Sequence, residues 1–182
     1  MLYIMRHGRT DWNERNKLQG RTDIPLNAAG RKMAEEAAAV YKNVPIDVCY
    51  CSPLARARQT AELFLKNRNI PIITDDRLVE MSFGIYEGTE QSARALDCPI
   101  NILFKEPEKY KAVEGGESIE KLFERTGDFL RNVVEPQLED GKNIVIIGHG
   151  AMNSGIICQV RGLSTEHFWD AGINQCELLQ LK

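Results

Sequence analysis

The chain has 182 residues, a formal net charge of −3 and an isoelectric point near 5.7. This length suits one domain, residues 1–182, that buries a sizeable core and encloses a cleft. The slightly acidic balance gives no overall attraction to nucleic acid or to anionic membranes, so we predict neither as a partner. Binding of an anion must therefore depend on a local cluster of cations.

The five cysteines are odd in number and show no repeated C-x-x-C spacing, which favours reduced thiols in the cytoplasm over a disulfide framework. Cys49 and Cys51 are two residues apart in an apolar stretch, so a strand would direct both to one face as small buried side chains. The sequence shows neither a secretory signal nor a long apolar run. We expect a soluble, unprocessed cytoplasmic protein.

Apolar runs alternate with longer amphipathic segments from the start of the chain. Residues 2–5 are the first predicted strand, and Asn27 is the predicted cap of the first long helix. The apolar stripe predicted for that helix is Met33, Ala37, Val40 and Tyr41. Residues 48–51 form the next predicted strand.

Ser52 and Pro53 are predicted to start the following helix, with Ser52 as its cap and Pro53 in the first helical position. Its apolar positions are Leu54, Ala57, Ala61, Phe64 and Leu65. Residues 71–74 read as a short third strand. Residues 81–115, called the excursion below, lose clear periodicity, and we expect them to be partly helical and to form part of a substrate cleft.

Ser118 is the predicted cap of a helix in the last third of the chain. Its inner stripe is Ile119, Leu122, Phe123, Thr126, Leu130 and Val133. A strand at 143–148, a helix at 151–161 and a final strand at 176–181 follow. This order of elements predicts an α/β fold, a three-layer sandwich with a mostly parallel central sheet and helices on both faces.

Cations and imidazoles follow the predicted strands at the point where each strand ends. Arg6 and His7 follow the first strand, Arg56 lies just after the second, and His149 follows the strand at 143–148. Because ligands of open parallel sheets bind at the shared carboxyl edge, these groups should meet there, with Glu80 a few residues beyond the third strand. Such a cluster suits an oxyanion, with phosphate as the leading guest.

Each of these residues also has an ordinary structural explanation when taken alone. An isolated Arg at a strand end is usually solvated, and of Arg56 and Arg58 we expect one to face water. Glu80 alone would be a surface or capping carboxylate. His149 is harder to dismiss because glycines flank it, whereas we interpret His167 as structural or exposed.

Five segments, in order, resemble the motifs of the histidine phosphatase superfamily, also called phosphoglycerate-mutase-like. They are LYIMRHGRTDWN, LQGRTDIPLNAAG, SPLARARQTAE, RLVEMSFGIYEG and IVIIGHG. The resemblance extends from residue 2 to about residue 155, except for residues 89–113, which match no motif. As a set, these segments are highly specific.

The resemblance implies that His7 is the nucleophile and becomes phosphohistidine. Arg6, Arg56 and His149 would hold the phosphoryl oxygens, and Glu80 would protonate the leaving oxygen and then activate water. The implied binding residues are Gly8, Asn13, Arg9, Gln19 and Gly150. No metal and no other cofactor is implied, because the arginines supply the charge that Mg²⁺ supplies in many phosphoryl-transfer enzymes.

Two positions depart from the expected pattern. Arg9 stands where many relatives carry an acidic or amide residue, and it is a candidate contact for a second anionic group of the substrate. Ser154 stands where an Arg often follows the second histidine, which puts the local helix environment in question.

The predicted function is hydrolysis of a small phosphorylated metabolite by a metal-independent phosphomonoesterase. The alternatives are a phosphoglycerate-mutase-type phosphotransferase, disfavoured by the modest length of the excursion, and a phosphate-binding module without turnover, disfavoured by the presence of both His7 and Glu80. A dinucleotide site at GHGAMN fails because Asn153 stands where the third glycine belongs. The sequence makes no prediction about the oligomeric state or about which metabolite is the substrate.

Overall fold

The computed structural model describes residues 1–182, apart from the side chain of Ala93. Its strands are β1 (Leu2–Arg6), β2 (Val48–Cys51), β3 (Ile72–Thr74), β4 (Ile144–Gly148) and β5 (Leu178–Gln180). They form one sheet in the order β3-β2-β4-β1-β5. The first four strands of this order are mutually parallel, and β5 pairs antiparallel with β1. The predicted α/β fold with a mostly parallel sheet is therefore confirmed.

The helices cover both faces of the sheet. They are α1 (Asp11–Glu14), α2 (Ala28–Val40), α3 (Ala55–Phe64), α4 (Asn101–Lys105), α5 (Ile119–Phe129), α6 (Glu135–Glu139) and α7 (Gly150–Arg161). A short π-helical segment, Leu130–Val134, joins α5 to α6. None of the described helices is long and apolar enough to cross a membrane.

Two apolar cores follow from the alternation of side chains along the strands. Cys49 and Cys51 point to the core beneath α2 and α3, whereas Val48 and Tyr50 point to the larger core beneath α5 and α7. The prediction that both cysteines share a buried face is therefore confirmed. Burial of the Cys49 thiol raises its pKa well above the usual range, as expected for an inert apolar side chain.

Two local predictions are wrong. Val40 is 72% exposed, because the buried face of α2 consists of Gly30, Ala34 and Ala37 instead. The helix after β2 begins at Ala55 rather than at Ser52-Pro53. Asp23, from a distant loop, accepts the Ala55 N–H at 2.7 Å and supplies the side-chain acceptor that Ser52 was expected to provide.

The excursion is partly helical, as predicted. It contains α4 and three short 3₁₀ turns, and it contributes Leu103 and Tyr110 to the larger core. Phe83 and Phe104 from this segment lie beside the carboxyl edge of the sheet, where they line a cleft.

This cleft lies at the edge of the sheet, where the connections that follow two neighbouring strands lead to opposite faces. The chain after β1 leads to α2 on one face, whereas the chain after β4 leads directly into α7 on the other face. Because β1 and β4 are neighbours, their carboxyl ends form the crevice at which open α/β sheets bind ligands.

Candidate active site

Strand register brings the two buried histidines together. Arg6 at the end of β1 pairs with Gly148 at the end of β4, so the next residues, His7 and His149, are neighbours at the carboxyl edge. Their ring centroids are 5.2 Å apart. Their exposed fractions are 3% and 0%, respectively. The residues that follow these two strands therefore lie close together, as the sequence predicts for His7 and His149.

The tautomer of His7 follows from its hydrogen bonds. Its Nδ1 lies 2.6 Å from the Gly8 carbonyl oxygen, which can only accept, so Nδ1 carries the proton. Nε2 is then the unprotonated nitrogen, and it accepts from Arg56 Nε at 3.3 Å. Burial first, and then the charges of Arg56 and Arg6, hold the pKa of His7 well below its usual range. The imidazole is neutral, and its lone pair on Nε2 accepts the hydrogen bond from Arg56 until a ligand takes that bond over.

Arg56 is the centre of the cluster. Its Nε–H is shared between His7 Nε2 and His149 Nδ1, the latter at 3.2 Å. Its two terminal nitrogens donate to the carbonyl oxygens of Thr22 and Gly20 at 2.9 and 2.7 Å. Burial lowers the pKa of Arg56 to about 10, which leaves the guanidinium charged at neutral pH. Arg58 is exposed, so the expectation that one of the two arginines faces water is correct.

Two buried nitrogens beside this cluster have no hydrogen-bond partner among the described residues. They are Arg6 Nε and His149 Nε2. Because His149 Nδ1 accepts from Arg56, the neutral His149 ring carries its proton on Nε2. Burial, followed by the charge of Arg56, holds the pKa of His149 well below the usual range. Unpaired buried donors are costly, and an oxyanion is a group that would satisfy them.

The Glu80 carboxylate caps α7. Its Oε1 accepts from the backbone N–H groups of Met81 and Met152 at 2.8 and 2.9 Å, and its Oε2 accepts from Ala151 at 3.2 Å. The first-turn amides of α7 thus hold a carboxylate beside Arg6 and Arg56, at the positive end of the helix dipole. Glu80 is 6% exposed and faces the same cleft as His7.

The cleft has a volume of about 160 Å³. Most of the predicted site residues line it, namely Arg6, His7, Asn13, Gln19, Arg56, Glu80 and Gly150. The remaining lining residues are Lys17, Leu18, Gly20, Phe83, Phe104, Ala151 and Trp169. The floor is cationic and the opening is lined largely by aromatic rings.

Asn13 and Gln19 are held by Thr10, the cap of α1. Asn13 Oδ1 accepts from the Thr10 N–H at 3.0 Å and from Gln175 Nε2 at 2.9 Å, which leaves its own amide nitrogen as the donor that it offers to a ligand. Gln19 Oε1 likewise accepts from the Thr10 hydroxyl at 2.9 Å. Gly8 is different: its N–H donates to Thr60 Oγ1 at 3.0 Å, so in this structure it is not a donor to the cleft.

His149 does not line this cleft; it lines a small buried pocket beside it, together with Arg6 and Gly150.

Three further residues singled out in the sequence also lie outside the cleft. Arg9 is exposed and lines a neighbouring open hollow, 3.5 Å from the Gln175 side-chain oxygen. Ser154 is buried and lines the same small pocket as His149. The contacts of His149 with Arg56 and His7 form without an Arg at position 154. His167 is half-exposed and hydrogen bonds to Asp170 at 2.7 Å, as expected for a structural or surface residue.

Glu87 is a residue that sequence reasoning missed. Its carboxylate accepts from the N–H groups of Arg21, Thr22 and Phe83 at 3.1, 2.9 and 3.1 Å. It also accepts from the Thr22 hydroxyl at 2.5 Å. Glu87 thereby fixes the loop whose carbonyl groups hold Arg56. The available signal was its position in the same motif as Glu80, seven residues later.

Comparisons of the sequence and the fold with those of known proteins identify the family of the chain. Residues 2–182 match the model of the histidine phosphatase superfamily (branch 1). The chain is 34% identical over 173 residues to the uncharacterized phosphatase PhoE of Bacillus subtilis, covering 95% of this chain and 83% of that protein. It is 30% identical to a 2,3-bisphosphoglycerate-dependent phosphoglycerate mutase of Cytophaga hutchinsonii, covering 91% and 79%. The structure of Bacillus stearothermophilus YhfR superposes with a TM-score of 0.87 at 27% identity, covering 97% and 88%. The chain belongs to branch 1 of the histidine phosphatase superfamily.

Proposed function

We propose that the protein is a phosphomonoesterase that needs no metal ion and works through a phosphohistidine at His7. The observation that carries this proposal is the arrangement of one charged Arg56 Nε–H against the unprotonated Nε2 of a neutral His7, at the floor of a cleft that also contains Glu80. A neutral, buried imidazole beside fixed cations combines a nucleophile with a binding site for a phosphate dianion.

The proposed reaction has two displacements. In the first, the bound phosphate dianion takes over the hydrogen bond that Arg56 Nε–H now gives to His7 Nε2, and its negative charge favours protonation of Glu80 from solvent. The freed lone pair of Nε2 then forms an N–P bond while the P–O bond to the leaving group breaks, and Glu80 gives its proton to the leaving oxygen. In the second, Glu80 takes a proton from water, the water oxygen forms a new P–O bond, and the N–P bond breaks. The net reaction consumes an ester and water and yields an alcohol and phosphate.

The charge that develops on the phosphoryl oxygens needs nearby donors. Arg6, Arg56 and His149 surround His7, and the amide groups of Asn13 and Gln19 are free to donate from the wall. Two guanidinium groups in a buried site provide much of the stabilisation that Mg²⁺ gives elsewhere. The positions of Asn13 and Gln19 in the wall of the cleft also support the prediction from the sequence that they bind the substrate.

Relatives with about 30% identity include both phosphatases and phosphoglycerate mutases. Water and a second substrate hydroxyl are therefore both chemically possible acceptors for the phosphoryl group. We favour water, because the excursion that would close over a bound substrate is short and leaves Phe104 40% exposed at the opening.

The first test is release of 4-nitrophenol and phosphate from 4-nitrophenyl phosphate between pH 5 and 8 in excess EDTA. The unmodified protein should retain its activity with EDTA, and His7→Ala should lose it. Brief incubation with radiolabelled substrate and quenching in alkali should trap acid-labile label on the unmodified chain only. Activity that EDTA abolishes, or that persists in His7→Ala, would contradict the proposal.

A second assay separates hydrolysis from transfer. With 3-phosphoglycerate, a mutase should form 2-phosphoglycerate and depend on a 2,3-bisphosphoglycerate primer, whereas a phosphatase should release phosphate without it. If 2-phosphoglycerate forms faster than phosphate is released, the protein is a mutase and the proposal of hydrolysis is wrong.

A further inference from the structure

The opening of the cleft has an aromatic wall, defined here as Phe83, Phe104 and Trp169. The Phe104 and Trp169 rings are stacked, with centroids 5.4 Å apart and ring planes 22° apart. The Phe83 and Phe104 centroids are 6.4 Å apart. Phe104 lies between the other two rings and is 40% exposed, whereas Phe83 is buried.

The aromatic wall is held in place without a ligand. Trp169 Nε1 donates to the Leu103 carbonyl oxygen at 2.6 Å, and the Phe168 ring packs edge-on against Trp169 with centroids 4.9 Å apart. Fixed rings lose little conformational freedom when another ring packs on them, so the wall is ready to bind a planar apolar group.

Positive charge beside this wall comes from Lys17 and Arg94, and each of these side chains already lies over an aromatic ring. Apart from Arg6 and Arg56 on the floor, Lys17 is the one Lys or Arg among the lining residues that the structure describes. Its Nζ lies 3.9 Å from Glu90 Oε1 and 5.8 Å from the centre of the Trp12 ring. Arg94 lies over Phe104, 5.7 Å from the ring centre, and lines a neighbouring hollow rather than this cleft. Its Nε and Nη1 have no hydrogen-bond partner among the described residues, so the binding test below includes a ligand with a second anionic group.

We propose that the leaving group is an uncharged aromatic or benzylic alcohol, so that the substrate is a phosphomonoester of such an alcohol. This inference rests on the proposed function and names the substrate class of the same site. The cleft volume of about 160 Å³ is close to that of a cavity of about 150 Å³ that holds one benzene ring, so the cleft cannot enclose a phosphoryl group and a ring together. Because the phosphoryl group occupies the floor, the ring must extend outward along Phe104.

Binding of two non-hydrolysable phosphonates tests this proposal without turnover. Benzylphosphonate carries an aromatic ring, whereas 3-phosphonopropionate carries a carboxylate like that of phosphoglycerate. Titration calorimetry on the full chain at pH 7 should show at least about tenfold tighter binding of benzylphosphonate, since each ring contact contributes about 3- to 10-fold.

Phe104→Leu is the matched variant, because it keeps an apolar side chain but removes the most exposed ring of the wall. It should weaken benzylphosphonate binding by about 3- to 10-fold and leave 3-phosphonopropionate binding within about twofold. The unchanged second ligand also shows that the variant is folded. Ile102→Ala, at an equally exposed apolar position on the same helix α4, should change neither affinity.

Equal or tighter binding of 3-phosphonopropionate, or no measurable binding of benzylphosphonate, would overturn the proposal. So would a parallel loss of both affinities in Phe104→Leu. Assays of hydrolysis with benzyl phosphate and with 3-phosphoglycerate distinguish a failure of the proposed function from a failure of the proposed substrate class. Tight benzylphosphonate binding without phosphate release from any ester contradicts the proposed function alone, and hydrolysis without the aromatic preference contradicts the substrate class alone.

Discussion

His7, His149 and Arg56 form a group in which a single N–H serves two acceptors. Arg56 Nε donates to both rings, and each ring is neutral because burial and the neighbouring guanidinium groups disfavour its protonation. The cluster contains the buried cation Arg56, the half-buried cation Arg6 and one carboxylate, Glu80, so it is short of negative charge. A bound phosphate dianion would restore the balance, and the same imbalance keeps the proposed nucleophile unprotonated.

Glu80→Gln tests the proposed acid–base role at the level of one side chain. The amide cannot give a proton to the leaving oxygen, so kcat for 4-nitrophenyl phosphate should fall by about 10² to 10⁴. Steady-state assays on both proteins measure this change. Because 4-nitrophenolate leaves easily, the loss should be larger for benzyl phosphate.

The exposed Glu35→Gln on α2 is the charge-matched control and should keep full activity. Near-full activity of Glu80→Gln with both substrates would remove Glu80 from the mechanism and leave it the role of capping α7.

Among the individual site residues, the sequence identifies those that directly follow strands. Buried strands appear as short apolar runs, so the positions of Arg6, His7 and His149 at the carboxyl edge could be predicted from the sequence alone. Glu87 and Thr60 could not be identified this way, because their roles depend on contacts with residues far away in the chain, at Thr22 and Gly8. Charge and spacing do not encode such contacts.

Arg56 is positioned by elements that are distant in sequence. Helix α3 carries it, Asp23 caps that helix, and the loop at 20–22 accepts its terminal N–H groups. The expectation that Ser52 caps α3 is wrong because the acceptor comes from a segment that is distant in sequence. Ser52 Oγ accepts from the Leu54 N–H at 3.3 Å in a local turn, while the helix itself is capped from another segment. Local capping rules do not include such tertiary caps.

Asp23→Ala should remove the side-chain acceptor at the start of α3 and lower the free energy of unfolding by about 1 kcal/mol. Urea denaturation followed by circular dichroism measures this loss. Asp23→Asn keeps an oxygen acceptor and should recover most of it. Equal stability of Asp23→Ala and the unmodified chain would show that the cap contributes nothing.

Glu87→Ala should leave three backbone N–H groups without their acceptor: those of Arg21 and Thr22 in the loop that binds Arg56, and that of Phe83. We expect a loss of about 1 to 3 kcal/mol in the free energy of unfolding. Vanadate, measured as a competitive inhibitor, should also bind more weakly because Arg56 loses its fixed position. Exposed Glu124→Ala is the control, and unchanged vanadate inhibition in Glu87→Ala would contradict the positioning role.

For the whole molecule, the two buried histidines make stability depend on pH. In the unfolded chain each titrates near 6.5, whereas in the folded protein its pKa is well below that value. As the pH falls below about 6.5, the unfolded chain takes up protons that the folded protein does not, so acid favours unfolding. The stability associated with these two groups is fully present above pH 6.5 and decreases between that pH and the folded pKa.

Urea denaturation from pH 7 to 5 should show a fall in unfolding free energy that approaches about 1.4 kcal/mol per pH unit for each such histidine. His7→Gln should remove one of the two contributions and reduce the slope. His167→Gln should leave the slope below about pH 5.5 unchanged, because hydrogen bonding to Asp170 raises the pKa of His167 and the residue is protonated there in both states. An unchanged slope in His7→Gln would show that His7 is protonated in the folded state.

The pairing of β1 with β4 has a consequence for the time course of folding. Leu2 pairs with Ile144, and the same ladder sets His7 beside His149. Contacts between such distant parts of a chain form late, because a long loop must close before they contribute stability. During refolding, helices should appear well before vanadate-binding capacity, which should return only in the phase that completes the sheet.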